Sequence, residues 1–330
     1  MGLMRIGLVL GGGGVVGASW MVGALQALED ESGFRADQAT RVLGTSAGAL
    51  IGATGAGGVS PAQMSEHATG GAAAADGGIA GPYRRSLWPP PLGFGSPRMS
   101  VAMLSEQRDR SLSALLMGLL PRGVLHTDPI SRLVERVVGG AWPVAPALRV
   151  VACDYASGQR VTFGSPRAPQ ASVGQAVAAS CAIPGFFKPV RIGERSYIDG
   201  GIHSHSNLDL IAGEGLDLVI CLSPMSSSAQ APATSMLERI AAARRRRASA
   251  ALITEARPLR SQGTRVIVLE PDLKDLAAMG SNPMARDRAE RVIEVARAGV
   301  TRALRRLSLA ALLADAEPAA RGASRALPAH

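Results

Sequence analysis

The chain alternates short apolar runs with longer segments of helical character, and this alternation limits its fold more than any other feature. The runs that are typical of buried strands are residues 5–10, 41–43, 148–154, 216–223 and 264–270. The helix-like segments between them include residues 15–30, 47–54, 129–138, 173–180 and 283–307. Because strands that alternate with helices pair in parallel and are covered on both faces, we expect an α/β protein with a mainly parallel sheet.

Composition and charge narrow the class of protein further. With 47% hydrophobic and 18% charged residues over 330 positions, the chain has an ordinary globular composition, which excludes disorder for most of its length. Residues 239–306 hold 16 basic and 7 acidic side chains, an excess that equals the net charge of +9. We expect weak peripheral contact with anionic membrane through residues 244–247, with a solvated helix face as the alternative, and no nucleic-acid partner.

Cysteine usage and the N-terminal segment bear on the compartment. The three cysteines, Cys153, Cys181 and Cys221, are an odd number without paired spacing, so they predict neither a disulfide framework nor a metal site. Residues 6–28 carry no charge and resemble a signal peptide or a membrane span, but four consecutive glycines at 11–14 would break such a helix. We therefore expect a cytoplasmic protein that requires no metal or cofactor.

The domain organisation is expected to be simple. We predict a single α/β domain over residues 1–310 and a flexible Ala- and Pro-rich tail over 311–330. Residues 77–99 combine many glycines and prolines with three aromatic side chains and form a long insertion, either a lid at the entrance to a site or a mobile surface loop.

The stretch RVLGTSAGAL, residues 41–50, is the first that carries chemistry. Gly44, Ser46 and Gly48 match the pattern G-x-S-x-G, with an apolar strand before it and an uncharged helical run after it. In a nucleophile elbow the flanking glycines let the chain turn sharply, so that the serine oxygen projects above the sheet edge. The helix that begins there directs its N-terminal dipole towards the developing negative charge. Ser46 is therefore our candidate nucleophile.

A glycine-rich loop follows the first strand. Gly12, Gly14 and Gly17 fit the dinucleotide-binding fingerprint G-x-G-x-x-G, but that interpretation requires an acidic residue at the end of the second strand. Asp37 stands at the right distance and precedes the strand instead of ending it. The alternative is an oxyanion hole, in which exposed glycine N–H groups bind the oxyanion of a tetrahedral intermediate.

A third motif, YIDGG at residues 197–201, places Asp199 at the end of a short strand, before Gly200 and Gly201. A carboxylate at this position can act as a general base on the serine, whereas the alternative is a simple turn in which the aspartate binds its own backbone. The order of glycine loop, G-x-S-x-G and D-G-G is far more specific than any one motif alone.

With these three motifs the sequence resembles the patatin-like phospholipase family, from residue 6 to about residue 222. The stretches VVACDYASGQRVTF at 150–163 and AVAASCAIPGFFKPVRIGERSYIDGG at 176–201 add to the resemblance. The resemblance implies a three-layer α/β/α fold and hydrolysis of lipid acyl esters by a Ser-Asp dyad. It also implies Ser46 as nucleophile, Asp199 as base, and the N–H groups of Gly12, Gly13 and Gly14 as the oxyanion hole, with Gly17, Gly44, Gly48, Gly200 and Gly201 in support.

The sequence departs from the family pattern at two places, and two other functions stay open. Val16 stands where a basic residue is usual, and Asn207 lacks the usual following proline. A Ser-Asp-His triad would use His203 or His205, but we expect the turn after Asp199 to carry both away from the sheet edge. The second alternative is a module that binds a lipid or a nucleotide without catalysis.

Overall fold

One mixed sheet organises the described part of the chain. The computed structural model describes residues 4–70, 96, 123–229 and 235–308. Within these ranges the eight strands are β1 (Ile6–Leu10), β2 (Arg41–Thr45), β3 (Ala147–Asp154), β4 (Arg160–Phe163), β5 (Val190–Ile192), β6 (Arg195–Asp199), β7 (Leu218–Leu222) and β8 (Arg265–Leu269). Their order is β5-β6-β3-β2-β1-β7-β8, with β4 also paired to β3. The pairs among β3, β2, β1, β7 and β8 are parallel, and the pairs that involve β4, β5 and β6 are antiparallel.

Helices cover both faces of this sheet. They are α1 (Gly14–Ser32), α2 (Ala47–Ala56), α3 (Pro61–Ala68), α4 (Asp128–Val138), α5 (Val173–Ser180), α6 (Met236–Ser261), α7 (Leu273–Met279) and α8 (Ala289–Leu307). Successive strand residues point to opposite faces, so Leu8 and Leu10 join the larger core with α1, α2, α4, α5 and α8. Val9 joins the smaller core, in which Leu252 and Leu259 of α6 pack. The result is the expected three-layer α/β/α fold.

The predicted strands are confirmed and one predicted helix is too long. The helix expected over 283–307 begins only at Ala289, because Pro283 instead lies in a turn whose carbonyl oxygen accepts the Val16 N–H at 3.0 Å. Strands β4 and β5 were not predicted, since their short sequences, RVTF and VRI, lack the continuous apolar character of the parallel strands.

Two predicted features fall on residues outside this description. The insertion at 77–99, except for Ser96, and the tail at 311–330 lie outside the described ranges, so the lid, the tail and the 1–310 domain boundary stay predictions. Among the helices that the structure describes, none combines the length and the apolar character needed to cross a bilayer.

Candidate active site

The register of the sheet brings Ser46 and Asp199 together. Ser46 follows the last residue of β2, Thr45, which lies beside Val151 of β3. The longer strand β3 continues past this point, and its next residue, Ala152, lies beside Asp199 at the end of β6. The nucleophile candidate and the carboxylate therefore flank the same short stretch of β3, although 153 residues separate them in the chain.

Ser46 adopts a strained backbone conformation, and hydrogen bonds to its N–H and carbonyl groups maintain it. Its φ of 54° and ψ of −122° are values that residues with a side chain rarely adopt, at a cost of about 1–3 kcal/mol. The Ser46 N–H donates to Ser180 Oγ at 2.8 Å. The Ser46 carbonyl oxygen accepts the Ala49 N–H at 2.9 Å and the Cys181 thiol at 3.3 Å. This sharp turn between β2 and α2 is the geometry that the G-x-S-x-G pattern predicts.

The glycines around the elbow permit close backbone approach. A methyl group on Gly44 would lie 2.5 Å from the Ala49 Cα atom, and one on Gly48 would overlap the Leu10 carbonyl group. A methyl group on Gly200 would lie 2.5 Å from the Val151 carbonyl oxygen. Ordinary contacts are 3.4 Å or longer, so these positions exclude a side chain unless the backbone moves.

The two candidate side chains make a direct hydrogen bond. Ser46 Oγ donates to Asp199 Oδ2 at 2.6 Å, and the Gly201 N–H donates to Asp199 Oδ1 at 2.7 Å. Both side chains are buried, with residue exposures of 6% for Ser46 and 4% for Asp199. Burial raises the pKa of Asp199 to about 6, although the hydrogen bonds from Ser46 and Gly201 act in the opposite direction. The arrangement can transfer a proton from the hydroxyl to the carboxylate near neutral pH.

The glycine loop, residues 11–14, lies directly against the elbow. A methyl group on Gly12 would lie 3.3 Å from Ser46 Cβ. The Gly12 N–H already donates to the His205 carbonyl oxygen at 2.8 Å, so it is not a free donor in this structure. Among the hydrogen bonds of the described residues, none uses the N–H of Gly13 or Gly14 as donor. The N–H groups of Gly13 and Gly14, at the start of α1, are thus the loop donors that stay available to an oxyanion.

His205 returns to the site, which corrects the expectation that the turn after Asp199 carries it away. The chain makes a single turn at Gly200–Ile202, and the imidazole Nδ1 then lies 3.4 Å from where a methyl group on Gly201 would stand. Burial, together with the positive charges of Arg244 and Arg245, lowers the pKa of His205 to about 4. The hydrogen bonds of the Ser46 and Asp199 side chains involve neither His205 nor His203.

Two residues that sequence reasoning missed support the elbow. Ser180 Oγ, besides accepting the Ser46 N–H, donates to the Val151 carbonyl oxygen at 2.6 Å. Asn207 has a φ of 51°, and its side chain donates to Thr45 Oγ1 at 3.1 Å and to the Ser204 carbonyl oxygen at 2.6 Å. For Ser180 the available signal was a polar residue at the end of the small-residue stretch AVAA, because such a residue is buried only when hydrogen-bonded. Asn207 stands in the polar stretch HSHSNLD, which gave no such signal.

Ser180→Ala is expected to lower the free energy of unfolding by about 1–3 kcal/mol, because the buried Ser46 N–H loses its acceptor. Turnover should fall by about tenfold or more as the elbow relaxes. Urea unfolding and steady-state kinetics measure the two effects. Ser19→Ala is the matched control, because the buried Ser19 hydroxyl only donates to the Val15 carbonyl oxygen within α1. Equal losses in the two variants would count against a positioning role for Ser180.

No group of three or more His, Cys, Asp and Glu side chains within the described ranges is arranged to hold a metal ion. The three cysteines, which all lie within the described ranges, are buried and form no disulfide bond there.

Comparison with known proteins identifies the family. The model of the patatin-like phospholipase family matches residues 8–211, more than half of the chain. The chain therefore belongs to the patatin-like phospholipase family.

Three solved structures are similar to this chain. VipD from Legionella pneumophila shares 16% identity at a TM-score of 0.41, with 88% of this chain and 67% of VipD covered. The type III effector ExoU shares 16% identity at a TM-score of 0.38, with 92% and 53% covered. Full-length ExoU in complex with SpcU, from the type III secretion system of Pseudomonas aeruginosa, shares 19% identity at a TM-score of 0.38, with 91% and 52% covered. This chain spans between 52% and 67% of the length of these proteins.

Proposed function

We propose that the protein hydrolyses acyl esters of lipids with a Ser46-Asp199 dyad. Ser46 Oγ attacks the ester carbonyl carbon while Asp199 accepts the hydroxyl proton, and the N–H groups of Gly13 and Gly14 bind the oxyanion. Asp199 then returns the proton to the departing alcohol. A water molecule activated by Asp199 hydrolyses the acyl-serine and regenerates the hydroxyl. The observation that carries the proposal is the 2.6 Å hydrogen bond between Ser46 Oγ and Asp199 Oδ2.

Asp199 is a better candidate base than His205, the histidine that lies beside it. A base works best when its pKa lies near the working pH, and Asp199 has a pKa of about 6 whereas His205 has one of about 4. This difference favours the dyad over the Ser-Asp-His triad.

Labelling with a fluorophosphonate probe separates an enzyme from a binding module, because the probe reacts only with an activated serine. A hydrolysis panel of p-nitrophenyl esters and phospholipids, with Ser46→Ala as control, then defines the activity. If the wild-type protein neither reacts with the probe nor hydrolyses any ester, a module that binds a lipid or a nucleotide without catalysis becomes the better hypothesis.

The pH dependence of kcat/KM is expected to follow the ionisation of Asp199. The base must be deprotonated, so kcat/KM should rise through an apparent pKa of about 6 and level off above it. Below that value it should fall by about tenfold per pH unit. An activated ester, corrected for spontaneous hydrolysis at each pH, gives the profile. The same rise of kcat/KM with pH should persist in the His205→Ala variant. A rise that disappears when His205 is replaced would contradict the assignment to Asp199.

A cytoplasmic location and peripheral contact with anionic membrane also stay proposals. What supports membrane contact is the exposure of Arg244, Arg246 and Arg247 along α6. At low salt, less of a variant with Gln at positions 244–247 than of wild type should sediment with anionic vesicles, and equal sedimentation would contradict membrane contact.

A further inference from the structure

A cavity of about 390 Å³ lies beside the glycine loop. Gly13 and Val16 line it on one side, Arg244 and Arg245 of α6 on another, and residues 279–283 complete it. Met225, which follows β7, also contributes. The cavity thus lies where the chain after β1 meets the chain after β7.

This position is where the order of the strands reverses. The chain builds β2 and β3 on one side of β1 and later places β7 and β8 on the other side. In open α/β sheets, ligands bind outside the carboxyl ends of the strands at such a switch point. The cavity therefore occupies the part of the fold most suited to a ligand, and Gly13 joins it directly to the candidate oxyanion hole.

Within the described ranges, the two arginines of the cavity have no acidic partner. Arg245 donates from one guanidinium nitrogen to the Pro224 carbonyl oxygen at 2.8 Å, and neither Arg244 nor Arg245 forms an ion pair with any carboxylate of the described residues. On α8, by contrast, Arg297 and Arg305 pair with acidic residues of α1. The cavity arginines thus have donors left for a bound anion.

Arg245 is also partly removed from water. Its residue is half-buried, and burial lowers the pKa of its guanidinium. A buried charge without a counter-ion is unfavourable, and a bound anion relieves that cost through charge-assisted hydrogen bonds.

A chain of contacts links Arg245 to the reaction centre. Pro224, whose carbonyl oxygen accepts the Arg245 hydrogen bond, packs against the glycine loop, where a methyl group on Gly13 would lie 2.9 Å from Pro224 Cγ. The positive charges of Arg244 and Arg245 also reach His205, beside Ser46 and Asp199. A group bound at these arginines would therefore lie near the scissile ester.

We infer that Arg244 and Arg245 form an anion subsite that binds a phosphate group of the acyl-ester substrate. Two guanidinium groups match the charge of a phosphate monoester and offer paired donors to its oxygens. The inference rests on the proposed hydrolase function, and it adds the two residues that would select an ester with a phosphate group over a neutral one.

The test compares two esters that differ in the phosphate alone, dihexanoyl phosphatidic acid and dihexanoylglycerol, both below their critical micelle concentrations. Wild type should prefer the phosphatidic acid in kcat/KM. The variant Arg244→Gln/Arg245→Gln should lose at least tenfold on the phosphatidic acid and less than threefold on the neutral ester, with most of the loss in KM. Arg239→Gln/Arg257→Gln removes the same charge from exposed positions of α6 and should change neither ester by more than twofold.

Further arms separate the sources of the effect. Arg245→Lys keeps the charge and should retain more phosphatidic acid activity than Arg245→Gln. Calorimetric titration of Ser46→Ala with dihexanoyl phosphatidic acid and with inorganic phosphate measures binding without turnover, and arginine-dependent binding of the lipid supports the subsite even if hydrolysis fails. Inorganic phosphate that binds as tightly as the lipid would instead indicate a site for free phosphate. The inference would be overturned if the Arg244→Gln/Arg245→Gln variant lost equal activity on both esters. It would also be overturned if that variant kept full activity on both esters and lost only its sedimentation with anionic vesicles.

Discussion

Replacement of Ser46 by alanine should reduce kcat on an activated ester by about a thousandfold or more and abolish fluorophosphonate labelling. Asp199→Asn should cause a loss of similar size, because residues that act as a unit fail together when either is removed. The physical reason is that the amide cannot accept the proton that Asp199 Oδ2 receives through its 2.6 Å hydrogen bond from Ser46 Oγ. Steady-state kinetics measures the losses, and circular dichroism checks that each variant is folded.

The same aspartate variant is expected to be more stable than wild type above neutral pH. The folded-state pKa of Asp199, about 6, lies above the ordinary value of 3.8, so its contribution to stability is present below pH 4 and is lost as the pH rises through 6. At pH 8 the buried carboxylate costs up to about 3 kcal/mol, which asparagine avoids. Urea unfolding at pH 8 should therefore show a gain of about 1–3 kcal/mol in the free energy of unfolding.

Histidine variants provide the comparison that separates dyad from triad. His203→Ala and His205→Ala should each cost less than about tenfold in kcat/KM, which is about 1.4 kcal/mol of barrier. If either proves as inactive as Ser46→Ala while Asp199→Asn keeps substantial activity, the triad replaces the dyad.

Gly48→Ala should lower the free energy of unfolding by about 3 kcal/mol or more and remove most of the activity. The added methyl group would overlap the Leu10 carbonyl group and lie 2.8 Å from the Gly11 carbonyl oxygen. Because both contacts are with backbone, α2 or the end of β1 must move, and that movement displaces the glycine loop. Chemical denaturation and ester hydrolysis record the two effects.

Gly52→Ala is the matched control, one helical turn later in α2. The atoms within 3.4 Å of its added methyl group all belong to side chains, those of Val42 at 3.0 Å and Leu10 at 3.3 Å. Alanine is also favoured over glycine in a helix by about 1 kcal/mol. We expect a net change within about 1.5 kcal/mol. A Gly48→Ala variant as stable as Gly52→Ala would show that the backbone there yields easily.

Local sequence patterns were enough to predict the parallel strands of the sheet and the elbow. The apolar runs marked β1, β2, β3, β7 and β8, because a strand covered on both faces must be apolar along its whole length. The glycines that flank Ser46 likewise indicate the sharp backbone turn between β2 and α2. These features depend on residues that are neighbours in the chain.

The features that the sequence did not reveal depend on contacts between distant residues. The Gly12 N–H is bound by the carbonyl oxygen of His205, and the Ser46 N–H by Ser180, 134 residues away. In the sequence, the four arginines at 244–247 cannot be told apart. In the structure, Arg245 donates a hydrogen bond to the Pro224 carbonyl oxygen, whereas Arg246 is exposed to solvent. No local pattern specifies such partners, because they follow from how the layers pack.

The long separation between Ser46 and its supports has a consequence for biosynthesis. During translation the elbow emerges long before Ser180 and Asp199, the residues that fix its strained turn and supply its base. The nascent N-terminal segment therefore cannot hold the serine in its reactive geometry by itself. Under the proposed dyad mechanism, Ser46 would therefore become reactive only when β3 and β6 have joined the sheet, and an unfinished or broken chain would not attack the lipids around it.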